Sequence, residues 1–122
     1  MREILFRGKV KNTNEWQYGD LRHWTKKSVG IHHQELHTTL RVIPETVGQF
    51  TGLTDKNGTK IWEGDIVKKG FELFVVKWNA EQCRFDLYTN KNNIQSGLNV
   101  FSQKYFEIIG NITDNPELLG DK

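Results

Sequence analysis

Residues Gln49–Lys68 read QFTGLTDKNGTKIWEGDIVK. Two extended runs, Phe50–Leu53 and Lys60–Trp62, flank Asp55-Lys56-Asn57-Gly58. Asn-Gly favours positive φ, because glycine has no Cβ and asparagine can bond its own backbone, so the pair predicts a primed hairpin turn. Asp55 is placed to accept backbone N–H groups across that turn. Beyond it, Gly64 interrupts the alternation of Lys60, Trp62 and Ile66 against Ile61, Glu63 and Val67. A glycine inside such a pattern marks a bulge, or a corner where one strand serves two sheets. The stretch predicts strand, turn, strand, corner, strand.

Working towards the N-terminus, Ile4, Phe6 and Val10 alternate with Glu3, Arg7 and Lys9, the period of a half-buried strand. Lys11–Glu15 is a polar turn, and residues 16–24 form the second strand of a hairpin, with Trp16 and Tyr18 on one face. Ser28–His32 reads as a short strand. Gln34–Arg41 reads as strand in preference to helix, because Thr38 and Thr39 weaken the pairing of Leu36 with Leu40. Pro44 ends that segment, and Thr46–Leu53 resumes as a strand.

Towards the C-terminus, Phe71–Trp78 is apolar at both alternate sets of positions, which predicts a strand covered on both faces. Asn79–Gln82 is a four-residue turn. Cys83, Phe85 and Leu87 then alternate with Arg84, Asp86 and Tyr88, as in a strand with one wet face. Residues 89–97 read as a polar loop, and residues 98–106 are ambiguous. Residues 107–112 form a last strand. Asp114-Asn115-Pro116-Glu117 starts a helix of about one turn, with proline in its first turn. The fold expected is mainly β. A small N-terminal β-hairpin unit, residues 1–50, packs on a C-terminal SH3-like β barrel, residues 51–122, with a shared core and only short helices.

The chain has 122 residues, 36% of them hydrophobic, and a mean hydropathy of −0.63. With seven Phe, four Trp and three Tyr, the burial expected leans on aromatics, including Trp16, Tyr18 and Trp24. The net charge of +2 makes no strong electrostatic case for nucleic acid. The charge is uneven: residues 1–48 hold 8 basic and 5 acidic side chains, a balance of +3, and all four histidines. One cysteine excludes an internal disulfide and a cysteine-based zinc site. The residues that follow Arg2 and Glu3 do not read as a signal peptide, and nothing approaches the ~18 apolar residues of a membrane span. A cytoplasmic protein without a membrane association is the expectation.

Few constellations point to chemistry. His33-Gln34-Glu35-Leu36-His37 offers His33, Glu35 and His37 as metal ligands, since imidazole and carboxylate bind divalent cations. It is not H-E-x-x-H, as Glu35 lies one place too late to serve as that motif's base. A solvated polar face is the better reading, so no metal and no cofactor are assigned. Glu63 and Asp65 form a carboxylate pair at the glycine corner, where bonds to backbone N–H groups are expected ahead of acid–base work. Cys83, with apolar neighbours on its face, reads as a buried structural thiol. No phosphate loop, dinucleotide fingerprint or nucleophile elbow is present, and no catalytic residue is assigned.

The central stretch also resembles the signature of the YopX family, small proteins of temperate phages and prophages, mostly of Gram-positive bacteria. Four other segments agree with it: Arg2–Gly8 at the start, Trp16–Leu21 and Pro44–Gln49 in the middle, and Ile108–Leu119 at the end. Thr113 stands where an aromatic residue is more usual. The resemblance implies a bacterial or phage setting and carries no established activity. The function expected is a non-enzymatic protein-interaction module, binding a protein partner or assembling as a homo-oligomer, because a surplus apolar face commonly marks an interface. The alternative is a nucleic-acid-binding accessory protein, resting on the basic N-terminal part. Candidate binding residues are Gln49, Thr51, Asp55, Trp62, Glu63 and Asp65.

Overall fold

The computed structural model describes residues 3–89, 94–99 and 102–120, with the backbone alone for 94–96. Its contacts divide the chain into two compact units, Met1–Phe50 and Thr51–Lys122. Eleven strands and three 3-10 turns make up the described structure, so the mainly β expectation holds.

The first unit contains β1 (Phe6–Lys9), β2 (Trp16–Thr25), β3 (Ser28–His33), β4 (Thr38–Val42) and the start of β5 (Gly48–Thr54). Their order is β4-β3-β2-β1-β5, with antiparallel neighbours. A bridge from Val10 to Val42 brings the end of β4 back beside β1, supported by Ile43 N–H donating to the Lys9 carbonyl at 2.8 Å. The turn Pro44–Thr46 then lets β5 take the rest of that edge. The core is small and aliphatic: Val29, Ile31 and Val42, flanked by Phe6, Val10, Leu21 and Val47. Each fully buried aliphatic side chain contributes about 1.5–3 kcal/mol.

The second unit contains the rest of β5, then β6 (Lys60–Trp62), β7 (Asp65–Lys69), β8 (Glu72–Asn79), β9 (Arg84–Tyr88), β10 (Ile94–Gly97) and β11 (Glu107–Asn111). A five-stranded antiparallel sheet runs β10-β9-β8-β7-β11. One face holds Ile61, Val67, Phe74, Val76, Leu87, Leu98 and Phe106, with Phe74 and Phe106 edge to face at 6.1 Å. Val75 and Ile66, paired on the opposite face, are also buried, so β8 is covered on both sides as its sequence implies. The SH3-like barrel is not found: in the described residues the sheet is open, with β10 and β11 at its edges. Closure would need those two strands to pair, and each has a described partner on one side only.

The hairpin of the central stretch differs from the primed turn in one respect. Positive φ falls on Gly58, at +84°, and not on Asn57. The cause is Asp55. Its Oδ1 accepts the N–H groups of Asn57 and Thr59 at 2.9 and 3.0 Å, while Gly58 N–H donates to the Asp55 carbonyl at 3.0 Å. That pattern builds an ordinary turn followed by one left-handed glycine. Oδ2 of the same carboxylate accepts Ile108 N–H, 3.0 Å away on β11. At the corner, Gly64 has φ +94° and bonds two segments, donating to Val76 and accepting from Ile112 at 2.8 and 2.9 Å. Asp65, almost fully buried, accepts Trp62 N–H at 2.7 Å.

Three further expectations are corrected. Cys83 is exposed. Asn79 Oδ1 accepts from Glu81 and Gln82, which extends the turn by one residue, and Cys83 takes the left-handed φ of +53° that closes it. Asp86 on the supposed wet face is fully buried, satisfied by Asn79 Nδ2 at 2.7 Å and Arg84 Nε at 2.8 Å. The polar loop of residues 89–97 contains β10, which pairs with β9 through an irregular register; residues 90–93 lie outside those described. Of residues 98–106, Gln103–Tyr105 form a 3-10 turn between buried Leu98 and Phe106.

Burial alone would raise the Asp55 pKa, but hydrogen bonds from Ile108, Thr59 and Asn57, with the Lys56 charge, outweigh it and hold the carboxyl below its usual value. Its stabilisation is therefore complete above the unfolded value of about 4 and is lost as pH falls through the lower folded value. Asp55→Ala is expected to cost about 2–4 kcal/mol in urea unfolding, since charge-assisted bonds to backbone donors are lost together. Asp55→Asn should flatten the fall in stability between about pH 5 and pH 2. Parallel acid profiles for Asp55→Asn and the unmodified chain would show that the carboxylate does not hold the turn.

Candidate functional site

The first unit separates its side chains by strand parity. Phe6, Leu21, Val29, Ile31 and Val42 face its core. The pairings Arg7↔Tyr18 and Lys9↔Trp16 put those four on the other face. The pairings Asp20↔His32, Arg22↔Gly30, Gly30↔Arg41 and His32↔Thr39 continue it across β2, β3 and β4. This outer face mixes aromatic rings with cations. Arg7 Cζ lies 4.4 Å and Lys9 Nζ 5.1 Å from the Trp16 ring centroid. Arg41 Cζ lies 5.6 Å from that of Trp24. Arg7 is buried; where water reaches the cation, as at exposed Arg41, such a contact contributes about 0.5–1 kcal/mol.

Trp24 has a built seat. Its ring rests over Gly30: a Cβ there would come within 2.9 Å of the ring, 3.0 Å of the Leu40 carbonyl oxygen and 3.1 Å of a Thr39 methyl. More than half of Trp24 remains exposed, as does 44% of Tyr18. Burial of Trp16, Tyr18 and Trp24 was the expectation; the structure overturns it for Tyr18 and Trp24 and leaves Trp16 half-buried. Aliphatic side chains from three strands already fill the core, and β2 parity sends Trp16, Tyr18 and Trp24 to the same side as Asp20 and Arg22.

Beside Tyr18 the surface dips into a cleft of about 200 Å³ lined by Leu5, Tyr18, Gly19, His33, Gln34 and Glu35. His33 ends β3, and Gln34 and Glu35 begin the turn to β4. Gln34 Nε2 donates to both Asp20 carboxylate oxygens at 3.0 Å. His33 Nδ1 accepts Leu36 N–H at 3.1 Å. His37 takes a left-handed φ of +53° at the end of the turn, its ring 6.5 Å from that of His32. The three metal candidates thus sit on a tight turn. Among the described residues no group of three His, Cys, Asp or Glu side chains could hold a metal ion.

The candidate binding residues of the central stretch lie elsewhere and are largely occupied by the backbone around them. Gln49 pairs with Phe6 in the first unit. In the second unit, the Thr51 hydroxyl donates to the Ile61 carbonyl at 2.8 Å. Asp55 and Asp65 serve the turn and the corner, Trp62 is buried, and Glu63 is half-buried at the corner. Cations and rings also meet on the outer face of the first unit, whose aromatics Trp16, Tyr18 and Trp24 sequence reasoning assigned to the core, as they do in the second unit, where Lys69 and Lys104 lie over exposed Tyr105. The signal was there: one parity of β2 carries three aromatics, Asp20 and Arg22.

The sequence pattern defining the family described as "YopX protein" matches residues 5–120. The chain belongs to the YopX family. A crystal structure of protein EF1440 from Enterococcus faecalis is similar to it, with a TM-score of 0.56 and 22% identity over 98% of this chain and 99% of that one. That likeness concerns the fold. No curated protein matches the chain. Among the described residues, no helix is long and apolar enough to cross a membrane. In this YopX chain the seat of Trp24 is open to a direct check. Gly30→Ala should cost about 1–3 kcal/mol, because a backbone carbonyl must move to admit the methyl group, and should raise acrylamide quenching of tryptophan emission. Unchanged stability and quenching would mean that Trp24 does not rest on Gly30.

Proposed function

We propose that this protein is a non-enzymatic binding module, that its working surface is the outer face of the N-terminal sheet, and that its ligand is single-stranded nucleic acid. The observation that carries the reading is the interleaving of Trp16, Tyr18 and Trp24 with Lys9, Arg22 and Arg41 on one sheet face. Bases stack on such rings whatever their identity, and the cations meet the phosphates between them. Positive residues are in excess where the face lies, with a balance of +3 over residues 1–48. The phage setting implied by the family resemblance is compatible with this ligand. Carboxylates that would otherwise suggest acid–base chemistry are engaged in holding turns: Asp55, Asp65 and Asp86 each accept hydrogen bonds within the fold.

A fluorescein-labelled thymidine 20-mer, followed by anisotropy, tests the reading. Binding is expected at 50 mM salt and should weaken about 20-fold at 200 mM if about three phosphates are met. Trp24→Ala should weaken it about tenfold at fixed salt, the share of one stacked base. Absence of binding at low salt would end the proposal.

A second reading, assembly of the chain with a second copy, has one observation in its favour. Phe71 stands fully exposed at the turn between β7 and β8, directly after left-handed Gly70. A ring wholly in water is a site that association can cover. Light scattering across micromolar concentrations should then show a rising mass that Phe71→Ser abolishes; a constant monomer mass would remove this reading.

A further inference from the structure

Resting on the reading of the outer face as a single-strand platform, we propose that the cleft beside Tyr18 is a base-specific subsite that takes guanine. Its volume of about 200 Å³ lies below the roughly 300–1,000 Å³ of pockets for drug-sized ligands, and a single flat ring system is a suitable occupant. Tyr18 belongs both to the outer face and to the cleft. A strand laid across the face therefore reaches the cleft with one base stacked on the Tyr18 ring.

The polar groups at the cleft then select the base. Among the described residues, nothing in the chain donates to the Glu35 carboxylate, which offers two acceptor oxygens side by side. Guanine alone of the common bases presents two adjacent donors, N1–H and the N2 amino group, that match a carboxylate in bidentate fashion. Adenine and cytosine place a ring acceptor beside their amino group, which meets the carboxylate lone pairs repulsively. Thymine offers one N–H between two carbonyls. His33 adds a matching donor. Its Nδ1 accepts Leu36 N–H, so in the neutral ring the proton is on Nε2, an N–H suited to guanine O6. Gln34 is held by Asp20 through both of its carboxylate oxygens, which fixes the segment between His33 and Glu35.

Anisotropy with fluorescein-labelled thymidine 10-mers, carrying a single central guanosine, inosine or adenosine or none, tests the subsite on the full chain at low salt. The guanosine oligomer should bind roughly tenfold or more tighter than the all-thymidine one, as expected for one bidentate contact. Inosine, which lacks the N2 amino group, should lie between the two, and adenosine should gain nothing. Glu35→Gln, at an exposed turn position, should remove the guanosine preference. Equal binding of guanosine and all-thymidine oligomers overturns the subsite and leaves the outer-face platform standing. A preference that persists in Glu35→Gln overturns its assignment to this cleft. No binding by any oligomer overturns the platform, and the subsite with it.

Discussion

The carboxylate of Asp55 is the constraint on which the second unit depends. It accepts N–H groups from its own turn at Asn57 and Thr59 and from β11 at Ile108, so one side chain sets the turn and fixes a strand more than fifty residues away in sequence. Lys56 N–H donating to the Phe106 carbonyl reinforces the same joint. Buried backbone donors without partners are costly, and a carboxylate is the side chain able to accept several at once. The same solution recurs at Asp65 and Asp86, both buried and both bonded. Acidic residues here hold backbone and side-chain donors that the sheets leave over.

The first unit is governed by a different constraint, the alternation of faces. Its core is complete with a few aliphatic side chains from β3 and β4 and their neighbours on β1 and β2. Of the opposite parity, Tyr18, Arg22 and Trp24 on β2 are left to the solvent side, Trp16 is half-buried, and Arg7 on β1 is buried. Exposed indole and phenol rings beside guanidinium and ammonium groups form a surface that is apolar and positive at once. Such a surface meets both the flat faces and the phosphates of a nucleic-acid strand, which is why it carries the functional reading in preference to the central hairpin.

Several features were legible from residue patterns alone. Period-two alternation marks β1, β2 and the core positions Phe85 and Leu87 of β9. Paired apolar sets on β8 announced burial of both faces, and Gly64 announced the corner. Asp55 was legible as an acceptor of turn N–H groups, although the bond to Ile108 was not, because nothing local connects the two. The outer face was half legible. Trp16 and Tyr18 were assigned to one side, but an aromatic residue satisfies a core and a binding surface equally well, so parity could not say which side met water. Cys83 shows the same limit: its apolar alternation with Phe85 and Leu87 was real, and the length of the preceding turn decided its exposure.

The sequence by itself determined the β class, the hairpin at Asp55–Gly58, the corner at Gly64 and membership of the YopX family. These depend on backbone preferences and side-chain periods that act over a few residues. Tertiary structure decided the open sheet of the second unit, the exposure of Tyr18, Trp24 and Cys83, and the cleft that unites Leu5, Tyr18 and the His33–Glu35 turn. Each of these depends on which strands become neighbours, and therefore on which side chains fill the limited interior first and leave the others outside.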